Sequence, residues 1–279
     1  FLIRDLDESK LNFLDKISLV IKGKFFGLVI KYFHKNLFCK IINMFFYKDG
    51  RIQYKNNMYF KIAKNNRKIF FPNKRILRIV KNLDSQLEWI LNSYCVKEIN
   101  FTKDDLVIDC GANIGEFKIS LEEKNIDVKY LGFEPELTTY NCLKKNILDK
   151  DSQVINMALS NENKERELYL DSEGGNSSLE KFHTGNLIKI KSIKLDDVEI
   201  SDNVKLFKLE AEGHEPEVLE GAIETLKKTE YVAVDFGAER GLSEDYTIVE
   251  VNKILYENNF ELIKFSDFRF IGLYKNSIL

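Results

Sequence analysis

Two acids and a glycine-bearing turn stand where an α/β protein keeps its ligands. Asp109 closes the apolar run Leu106-Val107-Ile108, and Cys110-Gly111-Ala112-Asn113-Ile114-Gly115 follows it. Apolar residues resume at Ile114, Phe117, Ile119 and Leu121, a spacing that predicts a helix. Strand, glycine turn and helix make a pocket because glycine lets the backbone approach a ligand closely. Glu134 ends a second strand-like run, Val128 to Phe133, some 25 residues past Asp109. An acid so placed can accept hydrogen bonds from a ribose diol. The dinucleotide fingerprint requires glycine at its first, third and sixth positions, but Asn113 is third and Glu116 sixth, so a nicotinamide cofactor is excluded. No phosphate-binding lysine follows the turn, which excludes a P-loop. A nucleoside held without a pyrophosphate site points to S-adenosylmethionine.

Further along, Glu210, Glu212 and His214 alternate beyond the apolar run Val204 to Leu209, and Asp235 sits near the end of Tyr231 to Phe236. Alternate residues on an extended strand end point the same way, so the first three are expected to converge. Glu210 and Glu212 suit a hydroxyl-binding or general-base site; helix capping, or a divalent metal shared with Asp235 or His214, are the alternatives. No spacing demands a metal, and none is expected. Glu215 and Glu217 are assigned to the positive end of the next helix. Asp235, Glu239 and Arg240 are expected along the substrate side, and His183 is expected to be structural or exposed.

With these motifs assembled, the chain resembles the FkbM-type methyltransferases. The resemblance rests on Val107 to Gly115, on Phe133-Glu134-Pro135, and on Phe207-Lys208-Leu209-Glu210-Ala211-Glu212-Gly213 running into Val218-Leu219-Glu220-Gly221-Ala222. It covers roughly residue 83 to the C-terminus. It implies a class I methyltransferase-like Rossmann sheet of six or seven strands, the last antiparallel. It also implies S-adenosylmethionine as cofactor, with Asp109 near its methionine part and Glu134 on its ribose. Gly111, Asn113 and Gly115 join them, as does Ser160, which begins the polar turn after the third strand. Where the family usually carries aspartate, this chain has Glu210. Asn176, Ser177 and Ser178 match a polar segment of the family and are candidate substrate contacts. The expected acceptor is a hydroxyl on a sugar, glycan or lipid-linked metabolite. The amino-methylation motif of nucleic-acid methyltransferases is missing after the fourth strand, and the acids there would repel a phosphate backbone, so no nucleic acid is expected. A non-catalytic scaffold would require a spoiled cofactor pocket, whereas these motifs are intact.

The elements that must position these residues alternate as strands and helices from Leu83 onward. Gln153 to Leu159 is read as the third strand. Arg166 to Leu170 and Ile188 to Leu195 form a strand pair around a glycine- and serine-rich excursion. Phe260 to Phe265 and Phe268 to Tyr274 are the closing strands. Residues 1–82 form a basic N-terminal extension to the catalytic domain, 83–279. Within it, 11–48 is helical, with Gly23 and Gly27 marking its beginning or a break, and short strands follow. Residues 1–100 carry 20 Lys and Arg against 8 acids, and the remainder carries 22 against 36, so the two parts face different electrostatic surroundings. Lysines interrupt every long apolar window, which makes 11–48 a poor membrane span. It suits packing on the fold, a homo-oligomer contact or a peripheral membrane contact. Four cysteines without paired spacing read as buried thiols in a reducing compartment. The expected location is the cytoplasm, with the inner membrane surface as the peripheral alternative.

Overall fold

The structure, a computed structural model, describes residues 2, 10–170, 177–181 and 186–279. Asn176 and His183 lie outside the described residues. The chain divides into two compact units, Phe1–Gln86 and Leu87–Leu279.

In the first unit, α1 (Phe13–Tyr32) and α2 (Lys35–Phe45) precede an antiparallel sheet of β1 (Arg51–Lys55), β2 (Met58–Ile62) and β3 (Lys68–Phe71). A capping box fixes the start of α1: Asn12 accepts from the Asp15 N–H and Asp15 accepts from the Asn12 N–H, so two end donors are satisfied. The break falls at Phe33 and His34, which are extended, and not at Gly23 or Gly27. Both glycines lie on open helix surface, where glycine weakens a helix without ending it. Asn56 and Asn57, both at positive φ, supply the tight turn from β1 to β2. The Asn43 side chain exchanges two 2.8 Å hydrogen bonds with the backbone of Ile52 and so ties α2 to that sheet.

The second unit is built on seven strands: β4 (Leu106–Cys110), β5 (Lys129–Phe133), β6 (Ser152–Ile155), β10 (Val204–Leu209), β11 (Thr229–Asp235), β14 (Phe260–Phe265) and β15 (Ile271–Asn276). Their order is β14-β15-β11-β10-β4-β5-β6; β6 through β11 run parallel and β15 runs antiparallel to β11. This is the class I methyltransferase-like sheet that the resemblance implies. The central strands are shut from solvent, with Val107, Ile108, Leu206, Phe207 and Leu209 all at 0% exposure. That is why they read as continuous apolar runs. Helices α3 (Leu83–Ser93), α4 (Glu116–Glu123), α5 (Leu137–Asn146), α6 (Glu215–Glu220), α7 (Ile223–Leu226) and α8 (Ile248–Glu257) complete the helical complement. Sequence order reverses between β4 and β10, so the ligand crevice of such a sheet opens at their carboxyl ends.

Two readings of strands need correction. Gln153 to Leu159 is two strands, because β6 ends at Ile155 and β7 (Ala158–Leu159) leaves to pair with β9 (Leu187–Ile193). Between them the Asn156 amide is turned onto the carbonyls of Glu134 and Pro135, 2.9 Å each. β8 (Glu165–Tyr169) completes that small sheet, and β12 (Ala238–Arg240) pairs with β13 (Asp245–Tyr246). The last strand begins at Ile271 rather than Phe268, because residues 268–270 form the bend between β14 and β15. All four cysteines are buried and free.

Candidate functional site

The turn after β4 is shaped by left-handed backbone at Gly111 (φ 71°), Asn113 (φ 51°) and Gly115 (φ 87°). A Cβ on Gly111 would lie 2.0 Å from the carbonyl oxygen of Glu210, and one on Gly115 would press on Leu143 and Ile147. Glycine is therefore required at both positions. Asn113 tolerates the left-handed conformation and its side-chain oxygen accepts from the Ile114 N–H at 2.9 Å. Its own N–H donates to Glu134 Oε2 at 3.0 Å, while the Glu136 N–H donates to Glu134 Oε1 at 2.9 Å. The turn after β4 and the acid after β5 are thereby one unit. Burial pushes the Glu134 carboxyl up to about 7, with the two backbone donors opposing.

Next to it lies a buried network of charge. Lys208 on β10 stands opposite Asp109 on β4 in register, with Nζ 2.8 Å from Oδ1. That contact is an ion pair without hydrogen-bond alignment, whereas the Tyr130 hydroxyl donates to Asp109 Oδ2 at 2.6 Å. Burial raises Asp109, and Lys208 opposes the rise. Lys208 also lies 3.2 Å from Glu210 and donates to the Gly111 carbonyl at 3.1 Å. Arg269 reaches Glu210 at 2.6 Å and also pairs with Asp235, and Tyr94 donates to Glu210. Against its burial, Lys208 and Arg269 hold Glu210 well below the usual carboxylate range. Burial and then the Glu210 charge lift Asp235 to about 7.

Of the three residues expected to converge, Glu212 lies within reach of the Glu210 charge, but His214 does not join them. Strand β10 ends at Leu209, and left-handed backbone at Glu212 (φ 51°) and Gly213 (φ 95°) turns the chain. Strand alternation therefore stops applying. His214 instead faces the excursion, with Nδ1 2.9 Å from Glu180 Oε1 and Nε2 3.0 Å from the Ser160 hydroxyl. Ser160 is fully buried there, and its hydroxyl also donates to Asn161 at 3.3 Å. The Ser178 hydroxyl donates to the Glu212 carbonyl at 2.5 Å. Glu212 Oε2 is buried with no hydrogen-bond partner among the described residues. Burial first, then the neighbouring Glu239 carboxylate, raise Glu212 well above the usual range.

Glu215 serves the turn rather than the helix that follows. Its Oε1 accepts from Ala211 at 2.9 Å and Gly213 at 3.1 Å, and Thr247 donates to Oε2 at 3.0 Å. Glu217 is gripped by Arg240 at 2.6 and 3.0 Å, while Arg240 also donates to the Gly213 carbonyl at 2.7 Å. Glu180, His214 and Glu217 offer donor atoms within 4.8 Å of one another, but Arg240 already neutralises Glu217. Sequence reading missed Tyr94, Tyr130, Glu180, Lys208 and Arg269. A lysine alternating with Glu210 in a buried strand was a usable signal. Arg269, in a short polar bend, gave none.

The profile of the Methyltransferase FkbM domain matches residues 109–271. "Methyltransferase sdnD" of Sordaria araneosa is 32% identical over 63 residues, 23% of this chain and 24% of that protein. The matched segment thus spans about a quarter of that relative's length. Among solved structures, a SAM dependent methyltransferase from Aquifex aeolicus aligns with TM-score 0.40 and 15% identity, covering 69% of this chain and 97% of that one. Precorrin-6y C5,15-methyltransferase from Geobacter metallireducens GS-15 aligns with TM-score 0.39 and 8% identity, covering 67% and 88%.

Proposed function

The chain belongs to the Methyltransferase FkbM domain family, whose profile spans 109–271, and on that premise we propose that it methylates a hydroxyl of a sugar, glycan or lipid-linked metabolite. S-adenosylmethionine, when bound, supplies a methyl group on a positively charged sulfur. The observation that carries the cofactor assignment is the Glu134 carboxylate at the end of β5. Each of its oxygens holds one backbone donor, and a carboxylate oxygen has a second lone pair. Two acceptors thus remain for the two hydroxyls of a ribose. The left-handed turn at Gly111, Asn113 and Gly115 lets the backbone lie against the rest of the cofactor.

Glu134 and the Gly111–Gly115 turn would hold the cofactor so that its methyl carbon passes to the acceptor oxygen and its sulfur keeps the electron pair of the broken carbon–sulfur bond. The hydroxyl proton must then leave. Glu210 is a poor acceptor for it, since Lys208, Arg269 and Tyr94 stabilise its ionised form. We assign the proton to Glu212, which burial and the neighbouring Glu239 carboxylate make a strong acceptor once ionised. Holding the reacting atoms in line supplies most of the rate, and the base adds about 10²–10⁴-fold.

The test is transfer of radiolabelled methyl from S-adenosylmethionine to hydroxyl-bearing glycans and lipid-linked sugars, with calorimetry of cofactor binding alongside. Binding with transfer to a hydroxyl supports the whole reading. Binding without transfer to any such acceptor removes the acceptor class and leaves the cofactor site standing.

A further inference from the structure

The helix α1 carries two apolar faces, and its fold accounts for only one of them. Phe26 and Val29 are buried, with Phe26 packed edge-on against Phe45 of α2 at 5.3 Å between ring centres. On the other side Leu14, Ile17, Ile21, Leu28 and Tyr32 are exposed, and Phe25 between them is half-exposed, with its ring 5.5 Å from that of Phe45. They recur every three or four residues, so they line one side of a helix about 30 Å long. Exposed leucine and isoleucine scattered singly need no explanation, but a contiguous stripe of this length does.

The charges beside the stripe indicate what covers it. At helical spacing Lys24 and Lys31 run along one border, whereas Lys22 shares the side of the buried Phe26 and Val29. The Lys31 ammonium sits over the Tyr32 ring, 5.2 Å from its centre, which places this positive charge against the end of the apolar stripe. Asp15 is the only acid in α1, and it is engaged in the capping box with Asn12. The stripe therefore has positive charge along one border and no acid of α1 beside it. A second copy of the same helix would bring lysine against lysine. An anionic lipid surface would neutralise them. Among the described residues, no helix is long and apolar enough to cross a membrane.

We propose that α1 lies flat on an anionic lipid surface, its Leu14-to-Tyr32 stripe among the acyl chains and its lysines at the headgroups. A helix of this kind buries its apolar face at the boundary between headgroups and chains. Attachment then has two parts, an apolar part indifferent to salt and an electrostatic part that salt screens.

The full chain should co-sediment with phosphatidylcholine vesicles containing phosphatidylglycerol, and far less with phosphatidylcholine alone. Raising the salt should weaken the binding. Replacing Lys24 and Lys31 together with glutamine should lower partitioning by about 25-fold, from roughly fivefold per lysine. Ile21→Glu with Leu28→Glu should abolish it; both sites are exposed, so folding and methyl transfer to a soluble acceptor are expected to be unchanged. Equal binding to neutral vesicles would overturn the proposal. So would no vesicle binding together with a dimer in sedimentation that Ile21→Glu dissociates, which would assign the stripe to a second copy.

Discussion

Lys208 Nζ and Asp109 Oδ1 stand 2.8 Å apart across the paired strands β10 and β4, with 4% and 0% of their side chains exposed. Removing one member leaves the other charge buried alone, which costs about 3–5 kcal/mol. Lys208→Met should therefore lower unfolding stability by that order in urea titrations, because Asp109 retains only the Tyr130 hydroxyl. Lys208→Met combined with Asp109→Leu should recover much of the loss. If Lys208→Met leaves the midpoint where it was, the pair does not hold the two strands together.

Glu215 makes stability depend on pH in a direction opposite to that of an ordinary paired acid. Burial raises its carboxyl from 4.5 to about 7 despite three donors. The folded state therefore favours the protonated form. Its contribution is complete below about pH 4.5 and is lost as pH rises through 7. Glu215→Gln keeps an oxygen for the two backbone donors and cannot ionise. At pH 8 it should exceed the parent in stability by up to about 3 kcal/mol, at 1.36 kcal/mol per pKa unit. The difference should vanish near pH 4.5. Parallel stability profiles for the two proteins would contradict this account.

Much of this architecture was legible because buried parallel strands advertise themselves as apolar runs. The bounds of β10 were read correctly from Val204 to Leu209, and Asp109 and Glu134 stand at the ends of β4 and β5 as their apolar runs placed them. What escaped the sequence were contacts made by turns. Strand alternation placed His214 beside Glu210, but the left-handed backbone at Glu212 and Gly213 turned it toward Ser160 and Glu180. The split of Gln153 to Leu159 depends on Asn156 bonding to a different strand's end. Arg269 lies 59 residues from Glu210, and nothing local marks a bend residue as the counter-ion of two acids on separate strands.

Gly111 offers a test of the turn itself. At φ 71°, with the Glu210 carbonyl 2.0 Å from where a Cβ would sit, alanine is opposed both by backbone strain and by a collision with backbone. Strain of this kind costs on the order of 1–3 kcal/mol, before the collision moves β4 from β10. Gly111→Ala should lower the melting temperature by at least several degrees and weaken S-adenosylmethionine binding. A variant with parent-like melting and affinity would show that the turn has slack.

Glu134 should give cofactor binding a pH dependence of its own. With its carboxyl near 7 in the free protein, a ribose diol that donates to it favours the ionised form. Binding must then lower that value, and affinity must fall as pH drops from about 7.5 to 5.5. Glu134→Ala should weaken binding about tenfold or more at pH 8, since a hydrogen bond to a charged group contributes roughly 1.5–3 kcal/mol. Glu134→Gln should flatten the pH dependence. Calorimetry at three pH values reads all of this, and an affinity indifferent to pH in the parent would remove the ribose from Glu134.

The proton acceptor can be separated from its surroundings by comparing amide variants. Glu212 has a buried oxygen without a hydrogen-bond partner and a like-charged neighbour in Glu239, whereas Glu210 is already neutralised by Lys208 and Arg269. Glu212→Gln should keep cofactor affinity and lose turnover by 10²-fold or more. Glu239→Gln should remove the repulsion that raises Glu212, so its activity should rise with pH at a lower midpoint than the parent's. Glu210→Gln should act differently, chiefly by destabilising the fold, because Lys208 and Arg269 would lose a charged partner. The comparison rests on turnover measured at saturating cofactor across pH 5.5 to 9, with unfolding followed on the same preparations. If Glu212→Gln turns over like the parent while Glu210→Gln is folded and inactive, the base is Glu210 and the Glu212–Glu239 pair is structural.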